Sequence, residues 1–223
     1  MQPRRGLALE VEALRQVARA GAENGRPAPP HAGATTAPAS GERLIIWESV
    51  RPCVVLPRCA NGDEWARVAA CAAGGVPLLH RESGGGAVLI GPGCLNVALV
   101  LSLDDRPRLA DVEHSYHWLL SRLAGLLAID GTAIRSTDLA IGDRKFAGHA
   151  QRRVRGALLH HGVVLYDFDL DLIDALLLEP PRRPAWRGAR THREFLVNAP
   201  LAREEVVRRL WRLPQALEPA RCG

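Results

Sequence analysis

Residues 137–166 read TDLAIGDRKFAGHAQRRVRGALLHHGVVLY, and the rest of the chain can be placed by working outward from them. Two strand candidates lie inside: 137–148, broken by a turn at Gly142 and Asp143, and 156–166. The same stretch holds Lys145, the one lysine in a chain with 29 basic Lys and Arg residues. A composition rich in Arg, Ala, Gly and Pro points to GC-rich coding, which drifts lysine toward arginine wherever only a surface charge is needed. Either this lysine survived by chance or its chemistry is required. An ammonium is a compact point charge and a guanidinium a broad planar fork, so a tight site distinguishes them.

Upstream, short β-like runs at 43–49, 53–57, 76–81, 86–90 and 95–103 are separated by Gly and Pro turn signals. A helix is expected over 111–129, with Val112, Tyr116, Leu119, Leu120 and Leu123 on one face. Downstream, DLIDALL (171–177) makes a short helix, and REEVVRRLWRL (203–213) a terminal one with Val206, Val207, Leu210 and Leu213 inward. The chain opens with an amphipathic helix carrying Leu7, Val11, Leu14 and Ala18 at helical spacing. Strand runs with grouped rather than strictly alternating helices give an α+β sheet covered by helices. Residues 1–20 are expected to form the first helix and 21–41, built from Pro, Ala, Gly, Thr and Ser, a flexible loop. The remainder, 42–223, forms the body of a single domain.

At 223 residues, 47% hydrophobic and 24% charged, the composition is that of a soluble globular protein. No apolar run approaches the roughly 20 residues that span a bilayer. Glu10 and Glu12 interrupt the apolar part of the N-terminus, so no secretory signal is read and a cytoplasmic location is expected. A net charge of +5 and a pI near 9.3 favour acidic partners. With only 4% aromatic residues, the stacking platforms of a nucleic-acid binder are not expected. The five cysteines contain no C-x-x-C pair, so neither a disulfide framework nor a zinc knuckle is indicated.

The densest chemical signal is HRESGGGAV at 80–88. Three successive glycines let the backbone approach a ligand, and successive N–H groups in such a turn form an anion-binding concavity. Arg81 would add a bidentate clamp and Ser83 a hydroxyl donor. The same glycines also suit a plain hairpin turn. The spacing is neither G-x-G-x-x-G nor a Walker loop, so dinucleotide and P-loop readings fail. In LLHHGVV (158–164) alternation allows only one of His160 and His161 to face a given site, and His161, next to Gly162, is the candidate.

Taken together and in order, RESGGGAV, GCLN, TDLAIGDRKFAGHAQRR and LHHG resemble the motifs of the lipoate-protein ligase A family. The likeness runs from about residue 44 to about 210. It implies the catalytic-domain fold of biotin and lipoate protein ligases: α+β, with a mixed, largely antiparallel central sheet flanked by helices. A C-terminal accessory domain, found in two-domain ligases, is not expected in this chain. The implied activity joins lipoate or octanoate to a lysine of a carrier. ATP with Mg²⁺ activates the acid to an acyl-adenylate, and the carrier lysine then takes the acyl group. By this resemblance Arg81, Ser83, Gly84, Gly85, Gly86, Ala87, Val88, Leu89, Asn96, Asp138, Gly148, His161 and Gly162 would line the nucleotide and acyl site. Lys145 would be catalytic, contacting the carboxylate oxygen and the α-phosphate, and Asp138 would orient it or help hold Mg²⁺. The implied partner is an acidic lipoyl domain or a glycine-cleavage-type carrier protein, with no nucleic acid and no membrane. Arg182, Arg183, Arg187, Arg190 and Arg193 are expected to form its docking face. The alternatives are an octanoyl or lipoyl transferase that works through a cysteine thioester, and a lipoyl-binding protein without turnover. Cys71 and Cys94 are poorly placed for the thioester route.

Overall fold

A computed structural model describes residues 1–22 and 41–218. The loop expected at 21–41 lies almost wholly outside the described residues. Nine strands are described: β1 (Arg43–Glu48), β2 (Cys53–Leu56), β3 (Leu78–His80), β4 (Val88–Ile90), β5 (Cys94–Ser102), β6 (Thr132–Arg135), β7 (Asp138–Ile141), β8 (Arg144–Val154) and β9 (Ala157–Leu165). Six of them form one sheet in the order β1-β5-β9-β8-β7-β6, every neighbour antiparallel. The other three make a small mixed sheet, β3-β2-β4, with β2 and β3 parallel. The stretch 137–166 is thus a three-strand meander at the centre of the large sheet, with its first turn at Gly142, where φ is +59°.

Helices cover both faces of that sheet. On one face lies α1 (Pro3–Ala22), whose Ala13, Leu14 and Val17 pack against Ala98 and Val100 of β5 and Leu159 of β9. On the other lies α3 (Val112–Leu127), with α6 (Arg203–Leu210) and α7 (Leu213–Leu217) packed beside it. Their Leu119, Leu120, Leu123, Val206, Leu210 and Leu213 form the main core with Leu99, Leu101 and Leu158. The short helices α2 (Val68–Ala73), α4 (Asp171–Leu176) and α5 (His192–Phe195) gather around the small sheet and the chain that follows β9.

Several expectations shift. The buried line of α1 is Pro3, Gly6, Glu10, Ala13, Leu14 and Val17, about one residue round from the Leu7, Val11, Leu14, Ala18 face, with Gly6 set directly against the Trp47 ring. A Cβ at Gly6 would sit 2.5 Å from that ring. Val112 opens α3 in the solvent, since its capping Asp111 places the first turn beyond the sheet. The terminal helix is two helices, broken around Trp211 with Pro214 in the first turn of α7. Strand β6 and helix α2 were not anticipated: TAIR is too short to show alternation, and VAACAA has no polar face to give a period.

Candidate active site

The cleft lies between the β7–β8–β9 part of the large sheet and the glycine loop ahead of β4, and the chain from 177 to 196 forms its outer wall. Its volume is about 260 Å³. Of the residues expected to form a site, all but Ser83 and Gly84 line it: Arg81, Gly85, Gly86, Ala87, Val88, Leu89, Asn96, Asp138, Lys145, Gly148, His161 and Gly162.

Lys145 is aimed by a β-bulge. Asp138 pairs with Gly148 and Leu139 with Ala147, yet Ala140 pairs with Lys145, so Phe146 is the extra residue on β8. Phe146 turns wholly into the main core. The skipped residue puts Lys145 on the same face as Asp138 and Gly148, and its Nζ lies 2.8 Å from Asp138 Oδ1. A Cβ at Gly148 would collide with that Nζ, so the glycine is the cradle in which the ammonium rests. The Lys145 backbone is fixed as well: its carbonyl accepts from Val197 N at 3.0 Å, within a parallel bridge to Leu196. Asp138, expected to orient Lys145 or help hold Mg²⁺, makes this ion pair. Among the described residues no three His, Cys, Asp or Glu side chains gather into a metal-binding group.

The glycine loop is braced from inside by Arg81. Its Nη2 donates to the carbonyls of Gly84 and Gly86 at 2.5 and 2.7 Å, its Nη1 to Val55 O at 3.3 Å and its Nε to Ser83 Oγ at 2.9 Å. Burial pulls the guanidinium down to about 10, with the nearby charge of Glu10 opposing the shift. Gly85 takes φ +96° at the tip, a conformation an L side chain would strain. Glu82 points away from the cleft toward Arg58, 3.9 Å apart. Asn96 donates from Nδ2 to Trp47 O at 3.3 Å.

The two adjacent histidines part as alternation requires. His161 turns to the α1 face, with Nε2 2.6 Å from Ser83 Oγ and Nδ1 2.6 Å from Glu10 Oε2. His160 turns to the α3 face, against Tyr116 and stacked on His149 with ring centroids 5.0 Å apart. A Cβ at Gly162 would collide with the His149 ring, which accounts for glycine there. Burial, with the charge of Lys145, pulls His149 down to about 3, and burial holds His160 well below its ordinary value.

The sequence reading missed Glu10, Trp65, Thr137 and the outer wall, including Leu178, Pro180 and Phe195. Most of the wall's arginines, expected as a docking face, are held by partners within the protein. Arg187, 4% exposed, donates to Glu179 and to the Arg190 carbonyl and lies over the Phe195 ring. Arg190 binds Asp143 and the Trp186 carbonyl, Arg183 pairs with Glu179, and Arg193 with Asp171. These side chains stitch a segment with little regular structure, and of the five only Arg182 lines the cleft without such a pairing among the described residues.

The sequence model of the lipoyl protein ligase A/B catalytic domain matches residues 6–197. Lipoate-protein ligase A subunit 1 of Thermoplasma acidophilum is 30% identical over 137 residues, 56% of this chain and 51% of that protein. Lipoate-protein ligase 1 of Staphylococcus aureus is 26% identical over 157 residues, 70% and 47% of the two chains. Octanoyltransferase LipM of Symbiobacterium thermophilum is 36% identical over 115 residues, 51% and 38%. The chain therefore spans about half the length of these relatives or less. Among solved structures, a chain of the bi-partite lipoate protein ligase of Thermoplasma acidophilum superposes with a TM-score of 0.68 at 22% identity, covering 92% of this chain and 79% of that one. An ATP-bound lipoate-protein ligase A gives 0.65 at 24%, covering 79% and 72%. At such identities the likeness is one of fold. Among the described residues no helix is long and apolar enough to cross a membrane.

Proposed function

The chain belongs to the lipoyl protein ligase A/B catalytic-domain family, and from that premise we propose that it is a lipoate- or octanoate-protein ligase that draws on ATP. The acid's carboxylate attacks the α-phosphorus of ATP and pyrophosphate leaves. The amine of a carrier lysine then attacks the acyl carbon, loses a proton, and displaces AMP to leave an amide. The observation that carries this reading is the Lys145 ammonium, held between Asp138 and Gly148 in the cleft. A fixed cation where negative charge develops on phosphoryl and carbonyl oxygens is the electrostatic term that usually dominates such catalysis. Magnesium, in this reading, arrives on the nucleotide's phosphates, the usual mode for an ion that keeps few protein ligands.

The second reading is acyl transfer between carriers through a thioester, favoured by the octanoyltransferase relative. It needs a thiolate at the cleft. Cys53 and Cys94 are buried, and burial pushes both thiols up to about 12; Cys71 is also buried and raised. Cys59 is exposed but does not line the cleft. The absence of a cleft thiol among the described residues, which do not include Cys222, weighs toward the ligase. Intact-mass measurement of a purified lipoyl domain separates the two. An acyl increment with free octanoate or lipoate only when Mg-ATP is present supports the ligase, whereas an increment only from an acylated donor protein overturns it.

A further inference from the structure

We propose that Glu10 is a positioning residue for the glycine loop, setting its geometry from the first helix through His161, Ser83 and Arg81; the inference rests on the ligase reading only in that the loop serves the reaction. Glu10 is 3% exposed, on the buried line of α1. Its Oε1 accepts from Trp47 Nε1 at 2.9 Å and its Oε2 lies 2.6 Å from His161 Nδ1. His161 Nε2 lies 2.6 Å from Ser83 Oγ, which is 2.9 Å from Arg81 Nε. Arg81 then holds the Gly84 and Gly86 carbonyls.

The direction of every proton in this chain follows from its ends. Indole and guanidinium can only donate, and a carboxylate can only accept. With Glu10 accepting, a neutral His161 carries its proton on Nδ1 and leaves Nε2 as an acceptor. Ser83 therefore donates its hydroxyl proton to Nε2, which leaves its oxygen free to accept from Arg81 Nε. Each donor and acceptor is used once, as a buried network requires. The other neutral tautomer would set a lone pair on Nδ1 against the carboxylate. With Arg81 so placed, the Gly84 and Gly86 carbonyls face inward. Because peptide units are planar and trans, the N–H groups of Gly85 and Ala87 then point the opposite way, on the side of the cleft that both residues line.

A carboxylate is needed because two donors converge on it. Glu10→Gln keeps the size but supplies one acceptor and one donor group. If its oxygen serves Trp47, its NH₂ faces His161 and forces the proton onto Nε2. Ser83 then receives two donors and its own proton loses its acceptor. The effect reaches the loop through hydrogen-bond polarity rather than through packing.

The test compares the full-length protein, Glu10→Gln, and Val17→Ala, which loosens α1 on the sheet without touching the chain. Imidazole ¹⁵N spectra, with His161 assigned by loss of its signals in His161→Asn, should show the Nδ1–H tautomer in the parent protein and in Val17→Ala but not in Glu10→Gln. Amide exchange at 84–87 should quicken only in Glu10→Gln. The kcat/KM for acid and ATP should fall on the order of a hundredfold in Glu10→Gln, with most of the change in KM, as expected when groups at the reacting centre are misplaced. Val17→Ala should melt lower with unchanged kinetics. The proposal is overturned if Glu10→Gln keeps the tautomer and the loop protection, or if Val17→Ala loses as much activity as Glu10→Gln. Should the parent protein fail to acylate a carrier, the ligase reading falls while the tautomer and exchange measurements still decide the role of Glu10.

Discussion

The Lys145 ammonium and the Asp138 carboxylate meet at 2.8 Å because Phe146 is skipped in the pairing of β8 with β7. The site therefore depends on a compact cation in a cradle shaped for it. Lys145→Arg should fold as the parent does yet lose carrier acylation almost as fully as Lys145→Ala, on the order of a hundred- to a thousandfold. Acyl-adenylate formation and carrier acylation measure the loss, and circular dichroism checks the fold. Substantial activity in Lys145→Arg would mean that charge alone suffices.

Gly148→Ala tests the cradle from the other side. The new methyl would collide with the far end of the flexible Lys145 side chain and press on Asp138 Oδ1 at 3.3 Å, so Lys145 can move aside and stability should change by less than about 1 kcal/mol. The displaced ammonium no longer sits beside Asp138, and activity should drop on the order of a hundredfold. Equal activity with an unshifted melting temperature would show that the position of Nζ is not critical.

Stability should fall in acid well before the carboxylates titrate. His149 and His160 are held below their ordinary value of 6.5 in the folded state, so the unfolded chain binds protons that the folded chain refuses. Stability is complete above about pH 6.5 and is lost as pH falls toward 3, at up to about 1.4 kcal/mol per pH unit for each imidazole. Urea denaturation between pH 7.5 and 4.5 gives the slope. His149→Phe should reduce it by one proton's share, and an unchanged slope would place the titration elsewhere.

The wall of arginines separates into two kinds. Arg187→Ala removes a buried guanidinium and leaves the Arg190 carbonyl without its donor, at a cost of about 1–3 kcal/mol in denaturant melts. Arg182→Ala should leave stability unchanged and raise the apparent KM for a nucleotide or an acidic carrier, with a weaker dependence on salt than the parent shows. Identical melting behaviour of the two variants would contradict this division.

Much of the architecture was legible because period-two and helical patterns are strong in 43–49, 95–103, 111–129 and 156–166, and each became an element. His161 was separable from His160 by alternation alone. The bulge was not legible, since in the short run DRKFAGH one extra residue leaves no alternation long enough to be seen to break. Glu10 left a mark that was read as a blemish. It sits three residues after Leu7 and four before Leu14, on the apolar stripe of its own helix, where a carboxylate must find buried donors. The arginines of 182–193 were expected to face a carrier, and their partners Glu179, Asp143, Asp171 and the Trp186 and Arg190 carbonyls are brought to them by the fold rather than by any pattern in that run.

The skipped residue at Phe146 makes the site sensitive to chain length more than to chemistry. Many side chains along β8 could be exchanged for others of like size. Inserting a single residue between Leu139 and Ala140 would instead give Phe146 a partner, restore regular pairing and carry Lys145 to the opposite face of the sheet. In descendants of this gene, one in-frame codon insertion there would abolish the ammonium's place in the cleft while leaving every residue of β8 unchanged.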